Sequence, residues 1–139
     1  MTEGRRSLDV LVADDNPTNR LLMRILLERA GHRVTIVEDG ARAVEAVSAG
    51  GIDLVLMDVL MPGMDGLEAT RRIRALADPA LAATTILAVT AGAMRKDAAR
   101  ASDAGMDGIV TKPVTMASLA EAIARNTAAG AARTRPNIS

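Results

Sequence analysis

Asp53-Leu-Val-Leu-Met-Asp58-Val-Leu-Met-Pro62-Gly-Met-Asp-Gly66 is the stretch whose reading decides the fold. Its apolar run, Leu54 to Met57, has the length and residue types of a strand buried on both faces, which is the habit of parallel sheets. Asp58 follows directly, and Pro62, Gly63 and Gly66 then force a loop before helical spacing resumes at Leu67. An acid where a buried strand meets a loop lies where open α/β sheets gather their chemistry. Taken alone, the same acid would serve equally well as a helix cap or a solvated turn residue, so the neighbouring segments have to decide.

Those segments repeat the pattern. Before the stretch, Val10 to Ala13 reads as a short buried strand ending at Asp14-Asp15-Asn16-Pro17. Asn16 or Asp15 caps a helix with Pro17 in its first turn, where the missing N–H is no loss. Leu22, Ile25, Leu26 and Arg29 follow at helical spacing, and Gly31 ends the helix. Arg33 to Val37 is a second strand, Asp39-Gly40 turns the chain, and Ala43, Val44 and Val47 form the next apolar stripe. After the stretch come a helix with Leu67, Thr70, Ile73 and Leu76 on one face, with Pro79 beyond its end, and a fourth strand, Ile86 to Val89, running into Thr90. A weak alanine-rich helix over Met94 to Ala104, a fifth strand Ile109 to Thr111 closed by Lys112-Pro113, and a last helix from Ser118 to Thr127 complete the series. Five strands alternating with five helices predict an α/β, doubly wound parallel sheet covered on both faces by right-handed crossovers.

Length and composition narrow the function classes. A chain of 139 residues accommodates one core. The spacing predicts a domain over 8–128 with tails at 1–7 and 129–139. Lys plus Arg and Asp plus Glu number 17 each, so there is no basic excess to track a nucleic-acid backbone. Phe, Tyr and Trp are absent, which removes the platforms on which single strands stack. With no cysteine there is neither a disulfide framework nor a thiolate zinc site. No apolar run approaches the length of a membrane span, and Met1 to Asp9 lacks the apolar core of a signal peptide. These features lead us to expect a soluble, cytoplasmic protein that binds neither nucleic acid nor membrane.

In a parallel sheet the strands point one way, so Asp14, Asp15, Asp58, Thr90 and Lys112 gather on one edge. If the first and third strands are neighbours in the middle of the sheet, three carboxylates meet at the switch point, and like charges this close disfavour joint ionisation. A hard divalent cation with oxygen ligands, Mg²⁺ first and Ca²⁺ by the same chemistry, relieves that repulsion. A carboxylate nucleophile, a cation, a hydroxyl and an ammonium are together what phosphoryl transfer requires. Each part is common, but the ordered set is specific.

On these residues, with Met57-Asp58, Met61-Pro62-Gly63-Met64-Asp65-Gly66 and Lys112-Pro113, the chain from Val10 to about Thr127 resembles the receiver domains of two-component response regulators. The resemblance implies a flavodoxin-like strand order of 2-1-3-4-5 and a phosphoryl group taken from a phosphohistidine onto Asp58. It implies Mg²⁺, with Mn²⁺ or Ca²⁺ as substitutes, held by Asp15, Asp58 and the backbone carbonyl of Leu60, with Asp14 acting directly or through water. Thr90 and Lys112 would bond the phosphoryl oxygens, and the Lys112–Pro113 peptide would be cis. The expected partners are a histidine kinase or a histidine phosphotransfer protein, with homodimers through the face of the fourth helix, fifth strand and last helix. Asp14 to Arg20 and Gly105-Met106-Asp107-Gly108 look like receivers of hybrid sensor kinases or their free-standing relatives.

Departures from the family pattern matter as well. Ile109 stands where many receivers carry an aromatic residue that turns inward on phosphorylation. Leu60 and Gly92 occupy places whose side chains influence phosphate lifetime in the family, and neither can position a water, so a slow loss of phosphate is expected. A phosphorylation-independent interaction module is one competing reading. A Mg²⁺-dependent aspartyl-phosphate hydrolase is another, although such enzymes place an Asp-x-Asp after the first strand and carry a cap domain. Asp65 reads as a loop or cap residue, and His32, the one histidine, as a surface residue remote from the acidic edge.

Overall fold

Along β1 (Asp9–Ala13), Val10 and Val12 point to one side of the sheet, Leu11 and Ala13 to the other, and all four are buried. The same alternation runs through β3 (Leu54–Asp58), where every residue is buried, and through β4 (Thr85–Thr90), which is buried except at its ends. Strands buried on both faces need cover on both, and the helices supply it. The computed structural model describes residues 7–61, 63–91 and 95–128, with the backbone alone at 95–97 and 127–128. The sequence-predicted tails therefore lie outside the described residues at 1–6 and 129–139, as do Pro62 and Gly92.

With β2 (Arg33–Val37) and β5 (Gly108–Thr111), the strands form one parallel sheet in the order β2-β1-β3-β4-β5, as the family resemblance implied. On one face, α1 (Pro17–Arg29) and α6 (Met116–Ile123) bury Met23, Leu27, Leu119 and Ile123 against Val10, Leu56, Leu87 and Val110. On the other, α2 (Gly40–Ser48), α3 (Gly66–Arg74) and α5 (Arg95–Ala104) pack Val47, Leu67, Ile73 and Ala101 against Leu11, Val55 and Ile86. Asn16, Asp39, Asp65 and Thr115 cap α1, α2, α3 and α6, each accepting backbone N–H groups of the first turn, so Asp65 is the cap residue its position suggested.

Three details differ from the sequence reading. In α1 the inward residues are Met23, Leu26 and Leu27, whereas Leu22, Ile25 and Arg29 face solvent. The run from Leu21 to Leu27 carries apolar side chains at every helical phase, so spacing alone cannot select the buried stripe. Pro79 does more than follow α3: capped by Asp78, it starts a one-turn helix, α4 (Pro79–Ala82), which makes six α-helices among the described residues rather than five. The last helix starts at Met116 behind a Thr115/Ser118 capping box and continues as a π-helical turn, Ala124–Ala128.

Candidate functional site

β1 and β3 are neighbours, with Ala13 in register with Met57, so the next residues of each strand end up side by side. Carboxylate oxygens of Asp14, Asp15 and Asp58 all lie within 4.8 Å of one another. Asp14 is 3 % and Asp58 6 % exposed, while Asp15 faces solvent. β5 delivers the cation, and Lys112 Nζ lies 3.4 Å from Asp58 Oδ2 and 4.0 Å from Asp14 Oδ2. The Lys112 N–H donates to the carbonyl of Thr90 at 2.8 Å, and the following Lys112–Pro113 peptide is cis. Thr90 closes β4 in register with Thr111, on the same sheet edge. The expected gathering of Asp14, Asp15, Asp58, Thr90 and Lys112 on one edge is therefore present.

Backbone donors hold the two buried acids. Asp58 Oδ1 accepts the N–H of Leu60 at 3.1 Å, and Asp14 Oδ1 accepts the N–H of Asn16 at 2.9 Å. Each acid thus has one oxygen fixed by the protein while the other, Oδ2, turns toward Lys112. Burial raises the Asp58 pKa above the ordinary carboxylate value, and the Asp14 charge adds to the rise. The Lys112 ammonium and the Leu60 N–H oppose it. One ammonium against three carboxylates leaves a net negative cluster built only of hard oxygen donors, a donor set that fits a divalent cation of the Mg²⁺ class.

Two features of the site have weak sequence signals. Gly66 is a breaker by composition, but its structural reason is contact: a Cβ there would overlap the carbonyl oxygen of Asp58 and lie 2.9 Å from Met57 Cγ. The Gly66 N–H donates to Val59 at 3.1 Å, which draws the start of α3 against the end of the site strand. The second is Arg20, whose Nη1 donates to the backbone carbonyl of Asp14 at 3.0 Å. Once Asn16 is recognised as the cap, helical phase returns the residue four positions later to the same side as the acidic loop, which is the signal that could have found it.

Beside the acids, a cleft of about 320 Å³ opens between α1 and the segment after β5, lined by Asp14, Asn19, Leu22, Met23, Val89, Lys112, Pro113 and Val114. Leu22 of the cleft leaves an apolar side chain in solvent, as do Ile25 on α1, Met116 on α6 and Leu60, which is 78 % exposed.

A family model described as response regulator receiver domain matches residues 10–124. The sensor protein GacS of Pseudomonas syringae pv. syringae is 46 % identical over 119 residues, which are 85 % of this chain and 13 % of that protein. The chain thus spans only a small part of such relatives. The receiver domain of the sensor histidine kinase PA1611 from Pseudomonas aeruginosa PAO1, crystallised with magnesium coordinated in its active-site cleft, superposes with a TM-score of 0.78 at 35 % identity. The match covers 86 % of this chain and 97 % of that one. The receiver domain of Ssk1 from Saccharomyces cerevisiae, solved in complex with the histidine phosphotransfer protein Ypd1, gives 0.79 at 26 % identity over 88 % and 90 % of the two chains.

Proposed function

The chain belongs to the response regulator receiver domain family, the phosphoacceptor modules of two-component signalling, and from that premise we propose that Asp58 is the phosphoacceptor. The observation that carries the reading is a buried carboxylate with one oxygen held by a backbone N–H and the other 3.4 Å from the Lys112 ammonium, inside a triad of acids. The working domain is 8–128.

In the proposed transfer, Asp58 Oδ2 attacks the phosphorus of a partner's phosphohistidine. A P–O bond forms, the P–N bond breaks, and the electron pair returns to the imidazole. Asp15, Asp58 and the Leu60 carbonyl would hold Mg²⁺, with Asp14 acting directly or through water, and Mn²⁺ or Ca²⁺ would be the substitutes. The cation supplies charge neutralisation for the transferring phosphoryl oxygens. Lys112 is already beside the acceptor oxygen and would follow the phosphoryl group, while Thr90, at the next strand end, donates its hydroxyl to another phosphoryl oxygen. Leu60 presents an exposed apolar side chain with nothing to orient a water, which supports a long-lived aspartyl phosphate. A Leu60→Asn plus Gly92→Glu exchange should shorten that lifetime.

The partner is a histidine kinase or histidine phosphotransfer protein, and the exposed apolar side chains nearest the acids, Leu22 in the cleft with Asp14 and Leu60 two residues beyond Asp58, are where it would dock. Ile109 is half-buried against the α3 and α5 side of the sheet, so an aromatic switch is missing and a relay role is favoured over a conformational output. Pairing of two copies through α5, β5 and α6 is the self-association expected of the family. The setting we propose is the cytoplasm; among the described residues no helix is long and apolar enough to cross a membrane.

An acyl phosphate with Mg²⁺ should add one phosphoryl mass to the protein, and Asp58→Asn should abolish the addition. Labelling that survives this exchange sinks the assignment. Steady turnover of phosphate esters by the wild type would instead indicate a hydrolase, and partner affinity indifferent to phosphorylation an interaction module.

A further inference from the structure

We propose that Arg20 is a positioning residue for the divalent-cation site, holding the peptide unit from which Asp15 departs; the inference rests on the reading that Asp14, Asp15 and Asp58 bind the ion. The three acids are not supported alike. Asp14 and Asp58 each have a carboxylate oxygen fixed by a backbone N–H. The Asp15 carboxylate is exposed and, among the described residues, makes no hydrogen bond or ion pair of its own. Its place in the triad is therefore set by the backbone.

That backbone lies in no regular element, since β1 ends at Ala13 and α1 starts at Pro17. Besides the sheet ladder, three contacts fix the peptides from Ala13 to Asn16: the Asp14 N–H donates to Val37 at 3.2 Å, the Asn16 N–H to Asp14 Oδ1 at 2.9 Å, and Arg20 Nη1 to the Asp14 carbonyl at 3.0 Å. Only the last falls on the peptide that joins Asp14 to Asp15. Arg20 is itself anchored, because its N–H donates to the Asn16 carbonyl at 3.0 Å and the Asn16 side chain caps Thr18 and Asn19. The guanidinium forms no ion pair with any of the three acids, so it grips the carbonyl and leaves the carboxylate oxygens to the cation.

The sign of one measurement separates this role from plain electrostatics. A guanidinium close to a dication repels it, so if charge were all that mattered, Arg20→Met would tighten Mg²⁺ binding. Positioning predicts the opposite, because groups that orient metal ligands typically contribute about 10–100-fold to metal affinity.

Mg²⁺ titrated calorimetrically into the unphosphorylated protein should bind at least about tenfold more weakly to Arg20→Met, a loss of roughly 1.4 kcal/mol. Arg20→Lys, which keeps a donor and a charge, should recover most of it, and both variants should keep the wild-type melting temperature without Mg²⁺. Unchanged or tighter binding by Arg20→Met overturns the proposal, as does an Arg20→Lys variant no better than Met. Loss of folding in Mg²⁺-free Arg20→Met also overturns it, since Arg20 would then be a residue of the fold. Asp15→Asn, run beside them, should lose Mg²⁺ binding. If it binds like the wild type, the reading of the site fails along with the inference; if it loses binding while Arg20→Met does not, only the inference fails.

Discussion

At the carboxyl ends of β1, β3 and β5, a single ammonium on Lys112 faces two buried carboxylates, and a third acid, Asp15, stands beside them without a partner among the described residues. At the amino ends of β4 and β5, a single guanidinium on Arg74 meets a closed set of acceptors. Its Nε donates to Gly105, its Nη1 to the carbonyls of Ala82 and Thr84, and its Nη2 to Asp107, all between 2.7 and 2.9 Å. Asp107 in turn accepts the N–H of Ile86 at 2.8 Å, and its own N–H donates to the Ile86 carbonyl at 2.7 Å. One edge is a charge cluster that something else must complete, and the other is complete in itself. Strands pinned at one end and loaded with uncompensated charge at the other can respond to a ligand locally without losing their register.

The comparison breaks first at Arg74. Arg74→Ala removes the guanidinium donor from three backbone carbonyls at the junction of α3, α4 and the turn before β5, and leaves the Asp107 carboxylate with the Ile86 N–H alone of the two donors it has here. The expected cost is about 2–3 kcal/mol in urea unfolding, with phosphorylation of the folded fraction retained. A loss no larger than that of an ordinary surface substitution would show that the closed network contributes little.

The next effect tests whether the site edge is loose in its backbone or only crowded in its charges. Gly66→Ala drives a Cβ into the Asp58 carbonyl and Met57, so we expect a loss of about 1–3 kcal/mol together with slower phosphorylation. A neutral result would mean that the backbone under Asp58 yields. Smaller and opposite in sign is Asp58→Asn, which removes one like charge from the triad and should stabilise the Mg²⁺-free protein by about 1 kcal/mol. Saturating Mg²⁺ should narrow or invert the difference, because only the wild type gains the full binding term. A destabilised Asp58→Asn without Mg²⁺ would contradict the account of this edge as uncompensated.

The two edges were not equally legible in the sequence. Leu54 to Met57 reveals a doubly buried strand because each residue is apolar, and Asp58, Thr90 and Lys112 converge as soon as strands alternate with helices. Alternation does not say which strands are neighbours, so the order 2-1-3-4-5 came from the family resemblance. Arg74 was illegible for a physical reason: Arg71 and Arg72 look the same locally, yet they pair with Glu68 on the helix surface, whereas Arg74 finds partners 8 to 33 residues away. The buried face of α1 is not legible from spacing because seven residues from Leu21 carry only one charge, and packing against the sheet, not periodicity, selects Met23 and Leu27.

The smallest effect lies at His32, which leads into β2 on the closed edge and is partly buried rather than a simple surface residue. Its Nδ1 accepts the Leu8 N–H at 3.1 Å, and burial lowers its pKa from 6.5. A proton on Nδ1 would set N–H against N–H, so the folded chain takes it up less readily than the unfolded one. The contribution is intact above pH 6.5, falls as pH drops below 6.5 toward the lowered folded value, and levels off beneath it. His32→Gln keeps an acceptor that does not titrate, so subtracting its stability from that of the wild type at each pH cancels the carboxylates and isolates the histidine. The wild type should lose stability relative to the variant between neutral pH and pH 5, without change in Mg²⁺ affinity. Parallel curves would mean that His32 gives up its bond to Leu8 without cost, and the closed edge would then begin at Arg74 rather than at β1.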